Sequence, residues 1–473
     1  MALPRPELHF APARTWANDP NGLIWHDGDW HLFFQNNPFG VDWGNMSWGH
    51  ATSPDLVHWT ELPVALPCSD SEEIFSGSCV FDSGNSSGLG TEEAPPLVAI
   101  YTANYRPGSA RFGTQAQALA SSADGGITWT PYPGNPVTDR GSKDFRDPKV
   151  SRYQDHWLMV AVEAEDQYVV FYRSHNLIDW TYLSSFGPAH ATDGAWECPD
   201  LFPLPVEGTN DQRWLLVVSI NPGAVSGGGG TQYFLGDFDG VTFTADHLLP
   251  AGDLRSFGWL DHGRDFYAAV SFADVPDGRR ILLGWMNNWD YCRDVPLTGG
   301  RSVMTSPREL SLIERDGQPV LRQLPARELF RALGAPVTLM AEAGFEGSRR
   351  LERTVRTGIL QLRLGSPAER FELLVGGVAI TVMEGVLSVD RSRAGRRDFH
   401  PAFASRTWVD LPKQPMAATG LELTVVIDTC SLEVFAADGA VALTNLVYFE
   451  SPEQDIEVRS DGPVELELTL RSR

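Results

Sequence analysis

Five segments of this chain repeat one design, a polar turn followed at once by a short apolar run. They read HDGDWHLFFQ, APPLVAIYTA, YQDHWLMVAV, NDQRWLLVVS and DGRRILLGWM, and they recur about every 60 residues. Short apolar runs bounded by turn formers are the pattern of buried strands. A second motif is interleaved with the first. ATSPDLVHWTEL, ASSADGGITWTPY and YRSHNLIDWTYL each end one strand, turn through Ser and Asp or Asn, and open the next strand with Trp-Thr. LGDFDGVTFTAD is a degenerate fourth copy, with Phe243 in the tryptophan place. Two motifs on one period describe the blades of a β-propeller, and five copies of the first predict five blades. A sandwich or barrel would supply short strands without requiring the double period.

The pattern fades after SVMTSPRELSLIE. LPARELFRALG predicts a short helix with Gly334 as its C-cap. Beyond it, ILQLRLG, FELLVGGVAITVMEGVLSVDR, LELTVVIDTCSLEVFAADGAVALTNLVYF and DIEVRSDGPVELELTLR alternate polar and apolar residues, with Asp-Gly hairpin signals between several strands. A chain of 473 residues also exceeds one ordinary core. The expectation is an all-β protein: a five-bladed β-propeller over residues 1–320, a linker with a short helix over 321–337, and a C-terminal β-sandwich over 338–473.

Charge and composition exclude several functions. With 37 basic against 61 acidic residues the net charge is −24, and no Lys/Arg run offsets it, so neither nucleic acid nor an anionic membrane is an expected partner. No stretch approaches the ~18 consecutive apolar residues of a membrane span. The start, MALPRPELHFAPARTW, lacks the basic and apolar regions of a signal peptide. It predicts a cytoplasmic protein as written, or an extracellular one if a signal has been removed. Cys68, Cys79, Cys198, Cys292 and Cys430 are far apart and form no C-x-x-C pair, which predicts free thiols. The histidines form no dense ligand set, so no metal is expected. VSGGGGTQYF is followed by a strand and carries no Lys-Ser/Thr, so it reads as a flexible blade loop, and no cofactor is expected.

Three carboxylates lie in rigid or apolar surroundings. Asp19 sits in WANDPNG and Asp147, beside Arg146, in FRDP, each read as a turn just before a buried strand. Glu197 sits in AWECPDLF, between Trp196 and Cys198. Each alone could simply cap a turn. In a propeller, however, equivalent positions on different blades converge on the axis, and paired carboxylates across a scissile bond are what glycoside hydrolysis requires. The flanking Trp and Cys would disfavour the charged form of Glu197, as a general acid needs. Asn18 and Asn21 would supply donors that keep Asp19 ionised, as a nucleophile needs.

These stretches resemble the motifs of glycoside hydrolase family 32, the β-fructosidases: invertases, inulinases, levanases and fructan exohydrolases. The resemblance rests on WANDPNG, FSGS, FRDP, ECPDLF, GTQYFLGDFDG, GWMNNWDY, SPREL and IDTCSLEVFAADG, in the family's order along nearly the whole chain. It implies the propeller-plus-sandwich architecture already indicated by the repeats. It implies Asp19 as nucleophile, Glu197 as acid/base and Asp147, with Arg146, as the group that holds fructose hydroxyls and stabilises the transition state. Asn18, Gln35, Trp43, Phe75 and Ser76 match residues lining a terminal-fructose pocket, and Trp285 and Trp289 match its wall and rim. Ala17 and Asn36 depart from the family pattern at the pocket edge.

The function expected on this basis is a retaining exo-β-fructosidase acting on a fructan, levan or inulin, and on sucrose, without metal or cofactor. Alternatives are a transfructosylating β-fructofuranosidase or invertase working mainly on sucrose, and a non-catalytic glycan-binding propeller. The last has no need of three aligned acids.

Overall fold

The computed structural model describes residues 3–250, 252–365, 369–412 and 420–473. The first part of the chain builds five antiparallel sheets, each of four main strands in sequential order. Their first strands, Trp16–His26, Glu72–Phe81, Phe145–Tyr153, Ala195–Pro205 and Tyr267–Ser271, contact one another in a closed ring. They are the innermost strands of a five-bladed propeller. The outer strand of the last blade runs Gln318–Pro325, so that sheet continues past the boundary expected at residue 320. Apolar side chains fill the space between neighbouring blades: Phe33 and Trp48 pack on Tyr101, and Leu158 and Val160 pack with Trp196 and Val218. Each such buried side chain contributes about 1.5–3 kcal/mol.

The interleaved Trp motif now has a local cause. In three blades the tryptophan donates its ring N–H to the turn three residues back: Trp59 to Leu56 O (3.0 Å), Trp129 to Gly126 O (2.9 Å) and Trp180 to Leu177 O (2.8 Å). The same turns are closed by Ser53 on Asp55, Ser122 on Asp124 and Ser174 on Asn176. The side chains thus satisfy backbone groups that the tight turn leaves unpaired.

Two expected turns prove to be strand. WANDPNG and FRDP lie within the innermost strands of the first and third blades. Turn-forming residues are used there because every innermost strand carries at least one extra residue, and the first carries a second between Asn21 and Ile24. Register shifts fall between Ala17 and Pro20, Phe75 and Gly77, Glu197 and Asp200, and Tyr267 and Val270. The third blade has the same offset opposite Val160 and Val162. Asp147 (φ 62°), Cys198 (φ 48°) and Ala268 (φ 53°) take left-handed backbone at these bulges, a conformation costly for most residues and typical of functional sites.

The second domain is sandwich-like, a single ten-stranded sheet among the described residues, whose two halves are joined by long strands. Ile456–Ser472 pairs through residues 456–460 with Arg370–Val375 of one half, and through residues 466–472 with Gly358–Leu364 of the other. Val337–Arg350 follows it along much of its length. The expected helix is Arg327–Arg331, but it ends at Ala332 in right-handed backbone. Gly334 is not its cap; its N–H instead binds Ser472 O.

The domains share a core and a buried polar network. Ile359, Val426, Phe435 and Ala442 of the sandwich belong to the same apolar cluster as Trp285 and Leu283 of the fifth blade. Arg308 of that blade donates to Asp261, Glu433 and Gln323, all buried. His9, ahead of the first blade, lies 2.8 Å from Asp428 and 2.9 Å from Glu433. Burial opposes its charge, yet hydrogen bonds to these two carboxylates outweigh burial and lift its pKa from 6.5 to about 9. A group whose pKa rises on folding stabilises fully below its unfolded value and loses that contribution as pH climbs through the folded one. The stability difference between the native chain and His9→Gln is therefore expected to be largest near pH 6 and to shrink through about pH 9. Urea unfolding midpoints of both chains across that range would measure it.

Candidate active site

Ten of the eleven residues singled out in the sequence line one pocket of about 340 Å³ at one end of the propeller axis. Asp19 comes from the first blade, Phe75 and Ser76 from the second, Arg146 and Asp147 from the third and Glu197 from the fourth. Asn18, Gln35, Trp43 and Trp289 complete the set. The exception is Trp285. It is fully buried, with its ring 4.9 Å from that of Trp289. It backs the wall and does not form it, because its strand alternates and the adjacent face turns inward. Trp48, which follows Trp43 in the chain, is likewise buried and donates its N–H to Phe75 O at 2.9 Å. Trp43 is 38% exposed and meets Phe75 edge-on at 6.2 Å, which puts it at the rim.

Asp19 accepts a 2.6 Å hydrogen bond from Ser76 Oγ. Its other carboxylate oxygen, Oδ1, is buried without a partner among the described residues. The amide oxygens of the neighbouring asparagines are taken, Asn18 Oδ1 by Trp16 Nε1 at 2.7 Å and Asn21 Oδ1 by Gly77 N at 3.3 Å; of their N–H donors, that of Asn18 serves Asp19, while that of Asn21 is buried without a partner among the described residues. Burial raises the Asp19 pKa, the charge of Glu197 adds to the rise, and Ser76 and Asn18 only partly oppose it. The expectation that local donors hold this group at ordinary acidity is thus corrected.

The surroundings of Glu197 also depart from expectation. Trp196 beside it in sequence points into the core between blades, since successive strand side chains alternate faces. Its neighbours in space are polar. Arg146 donates from Nε at 3.2 Å and from Nη2 at 3.1 Å to Oε1, and the Tyr267 hydroxyl donates to Oε2. Asp147 accepts the Cys198 backbone N–H at 2.9 Å, and its own N–H is held by Thr102 Oγ1 at 2.8 Å. Burial raises the Asp147 pKa; Arg146 opposes this, and the charges of Glu197 and Asp19 add to it. Three carboxylates and one guanidinium therefore share one small pocket. Burial and mutual repulsion push Asp19 and Asp147 toward protonation, a perturbation that marks functional sites.

Sequence reasoning missed several residues of this site. Tyr267 was legible only as part of the strand DFYAAVSF, and nothing in that string says which face meets Glu197. Gln115, whose Oε1 lies 3.5 Å from Arg146 Nη1, and Arg293 also line the pocket. The glycine-rich loop is tied down, contrary to expectation. Asn288, next to Trp289, donates to Gly227 O (3.1 Å) and Arg264 O (2.7 Å). Gly228 sits so close that a Cβ there would lie 2.0 Å from Asn288 Oδ1. Among the described residues no His, Cys, Asp and Glu are grouped as a metal site.

Comparison with known proteins gives this geometry a context. Residues 9–325 match the N-terminal domain of glycosyl hydrolases family 32, and residues 377–471 match the family's C-terminal domain. The chain is 41% identical to a levanase of Bacillus subtilis, over 96% of this chain and 68% of that protein. It is 37% identical to an extracellular exo-inulinase of Aspergillus niger, over 94% of this chain and 89% of the other. In three dimensions it resembles the crystal structure of exo-inulinase from Aspergillus awamori, with a TM-score of 0.92 at 34% identity, covering 99% of this chain and 98% of that one. The same holds for β-fructofuranosidase from Schwanniomyces occidentalis complexed with fructosyl-erythritol, with a TM-score of 0.88 at 30% identity over 99% and 98% of the two chains. A match spanning both domains at this level leaves one assignment: the chain belongs to glycosyl hydrolase family 32.

Proposed function

We propose that this chain is a retaining exo-β-fructosidase that removes terminal fructose from levan or inulin and also cleaves sucrose. The observation that carries the proposal is the convergence of Asp19, Asp147 and Glu197 from three blades into one pocket. In this reading the unpartnered Asp19 Oδ1 attacks the anomeric carbon of the fructosyl unit. Glu197 first gives a proton to the leaving oxygen, then takes one from the water that hydrolyses the fructosyl–enzyme ester. Asp147 and Arg146 hold fructose hydroxyls, and Trp289, Phe75 and Trp43 offer apolar faces to the ring. The names of the levanase and exo-inulinase relatives support the substrate class. The same acids would serve a transfructosylating enzyme, in which a second sugar takes the place of water.

Exo-action follows from the pocket's shape. A pocket lined by side chains that converge from several blades admits a chain end, whereas a mid-chain segment needs a groove open at both sides. Levan or inulin is expected to release fructose as the dominant early product, with polymer size nearly constant at low conversion, as read by chromatography. Early di- to pentasaccharides would sink the exo reading, and sucrose turnover far above that of either polymer would favour the invertase or transferase alternative.

Tyr267 enters this scheme as a positioning residue, because its hydroxyl aims Glu197. A hydrogen bond to a charged group contributes roughly 1.5–3 kcal/mol. Tyr267→Phe is expected to lower kcat by ~10-fold or more with KM little changed. Steady-state kinetics on sucrose would check this, and an unchanged kcat would remove Tyr267 from the mechanism.

A further inference from the structure

The catalytic pocket has a floor and a mouth. Asn18, Gln35, Ser76 and Asp147 are buried at its floor, whereas Trp43 and Arg293 are exposed. A terminal sugar gripped at the floor leaves the next sugar among the exposed residues. The side on which that sugar lies is set by the acid/base, which must face the leaving oxygen. Glu197 belongs to the fourth blade, and its Oε2 is held by the hydroxyl of Tyr267 from the fifth. In the proposed scheme the leaving sugar therefore lies toward the fifth blade. Arg293 stands in that blade's loop, between the strands Arg280–Met286 and Val303–Met304.

Among the described residues the Arg293 guanidinium makes no hydrogen bond and has no carboxylate oxygen within 4.0 Å. The acids around it are engaged with other groups. Asp290, three residues back, is held by Arg264 at 2.6 Å. In the pocket, Glu197 is taken by Arg146 and Tyr267, and Asp147 by the Cys198 N–H. The backbone beneath Arg293, by contrast, is fixed. Tyr291 and Cys292 both donate their N–H to Asn288 O, at 3.1 and 2.9 Å, and Asp294 donates to Tyr291 O at 2.9 Å. Tyr291 and Cys292 are buried, and the Tyr291 hydroxyl donates to Asp265 and accepts from Arg391 Nη2 at 2.8 Å. This pinned turn sends Arg293 outward with its five N–H donors unspent. An arginine with no partner in the fold, presented by a fixed turn at the mouth of a sugar pocket, suits the hydroxyls of a ligand.

We propose that Arg293 sets specificity for the leaving group by binding hydroxyls of the first sugar beyond the scissile bond. That sugar is the glucosyl unit of sucrose or the penultimate fructosyl unit of a fructan. The inference rests on the exo-β-fructosidase reading above and adds a determinant outside the terminal-fructose floor. Trp43, also at the mouth, offers the same sugar an apolar face. Hydrogen bonds from a guanidinium to hydroxyls are charge-assisted and orient the ring. They exist both before and during bond cleavage, so they act on KM more than on kcat.

Initial rates on sucrose and on 1-kestose, whose second sugar is fructosyl, test the proposal, with free fructose as a competing ligand. Arg293→Ala is expected to raise KM by ~10-fold on at least one substrate, with kcat little changed, the scale of a lost hydrogen bond to a charged group. The inhibition constant of fructose, which fills only the floor, should match that of the native chain. A rise on sucrose alone assigns the contact to the glucosyl unit, and a rise on 1-kestose alone to the fructosyl unit. A rise on both assigns it to hydroxyls that the two rings share. Arg293→Gln keeps two N–H donors without the charge and should recover part of the loss. A Gln variant no better than Ala, with the pH profile of kcat/KM displaced, would mean that the guanidinium acts on the acids by its charge, and would overturn the proposal. So would an unchanged KM on both substrates. A fructose inhibition constant that weakens in step with KM would overturn it too, by placing Arg293 against the terminal fructose. A native chain that releases fructose from neither substrate would instead sink the exo-β-fructosidase reading, and this inference with it.

Discussion

Asp19→Ala is expected to lower kcat by ~10⁵-fold on sucrose, levan and inulin alike, a loss typical of removing a catalytic nucleophile. That factor corresponds to about 7 kcal/mol of transition-state stabilisation. No other group can substitute. The second carboxylate at the same depth, Asp147, is tied to the Cys198 N–H, and Glu197 to Arg146 and Tyr267. Of the three acids, only Asp19 presents a buried oxygen with no partner among the described residues. Glu197→Ala should behave differently. Loss should be least for substrates whose leaving group needs little protonation, and added azide should restore part of the rate with retained configuration, since azide attacks the fructosyl–enzyme without a base. Equal losses across leaving groups, with no rescue, would leave Glu197 without its acid/base role.

Cutting the chain after residue 335 is expected to yield insoluble protein. The cut removes Phe435, Val426 and Ala442 from a cluster that also contains Trp285 and Leu283, exposing a contiguous apolar flank. It also strips Glu433 and Thr444 from Arg308, which would remain buried on the blade with Asp261 as its only carboxylate neighbour. Arg308→Met in the full chain isolates the polar part of this effect. Removing one partner of a buried ionic network costs about 3–5 kcal/mol, so the unfolding midpoint in urea should fall clearly below that of the native chain. A soluble, fully active truncation would show the sandwich to be dispensable.

Much of this architecture was legible because its repeat is written twice. Each blade announces itself by an apolar run, and three do so again by a tryptophan that closes its own turn through a ring N–H. The catalytic cluster was legible for a different reason, as short strings of unusual composition that one family shares. What stayed hidden depends on facing. Glu197 seemed to sit among Trp196 and Cys198, but the alternation of a strand sends Trp196 to the core and brings Arg146 and Tyr267 from other blades. Asn18 and Asn21 looked alike as donors to Asp19, yet only Asn18 opposes its pKa rise, and the Asn21 amide nitrogen has no partner among the described residues. Trp285 and Trp289 looked equivalent in GWMNNWDY, and only one reaches the sugar side. WANDPNG and FRDP looked like turns because a bulge borrows the residues of a turn.

A single extra residue, as in the inner strands of the third and fourth blades, sets the two halves of a strand out of phase. In a regular strand, residues three apart point to opposite faces. Across the offset, Glu197 reaches the catalytic pocket while Asp200 reaches Lys149, and Arg146 and Lys149 share the axis in the same way. Side-chain exchanges can therefore retune the sugar end or the far end separately. A change in strand length cannot: deleting Cys198 would bring the halves back into step and rotate one set of charges out of the channel. The propeller tolerates new letters in these strands far better than a missing one.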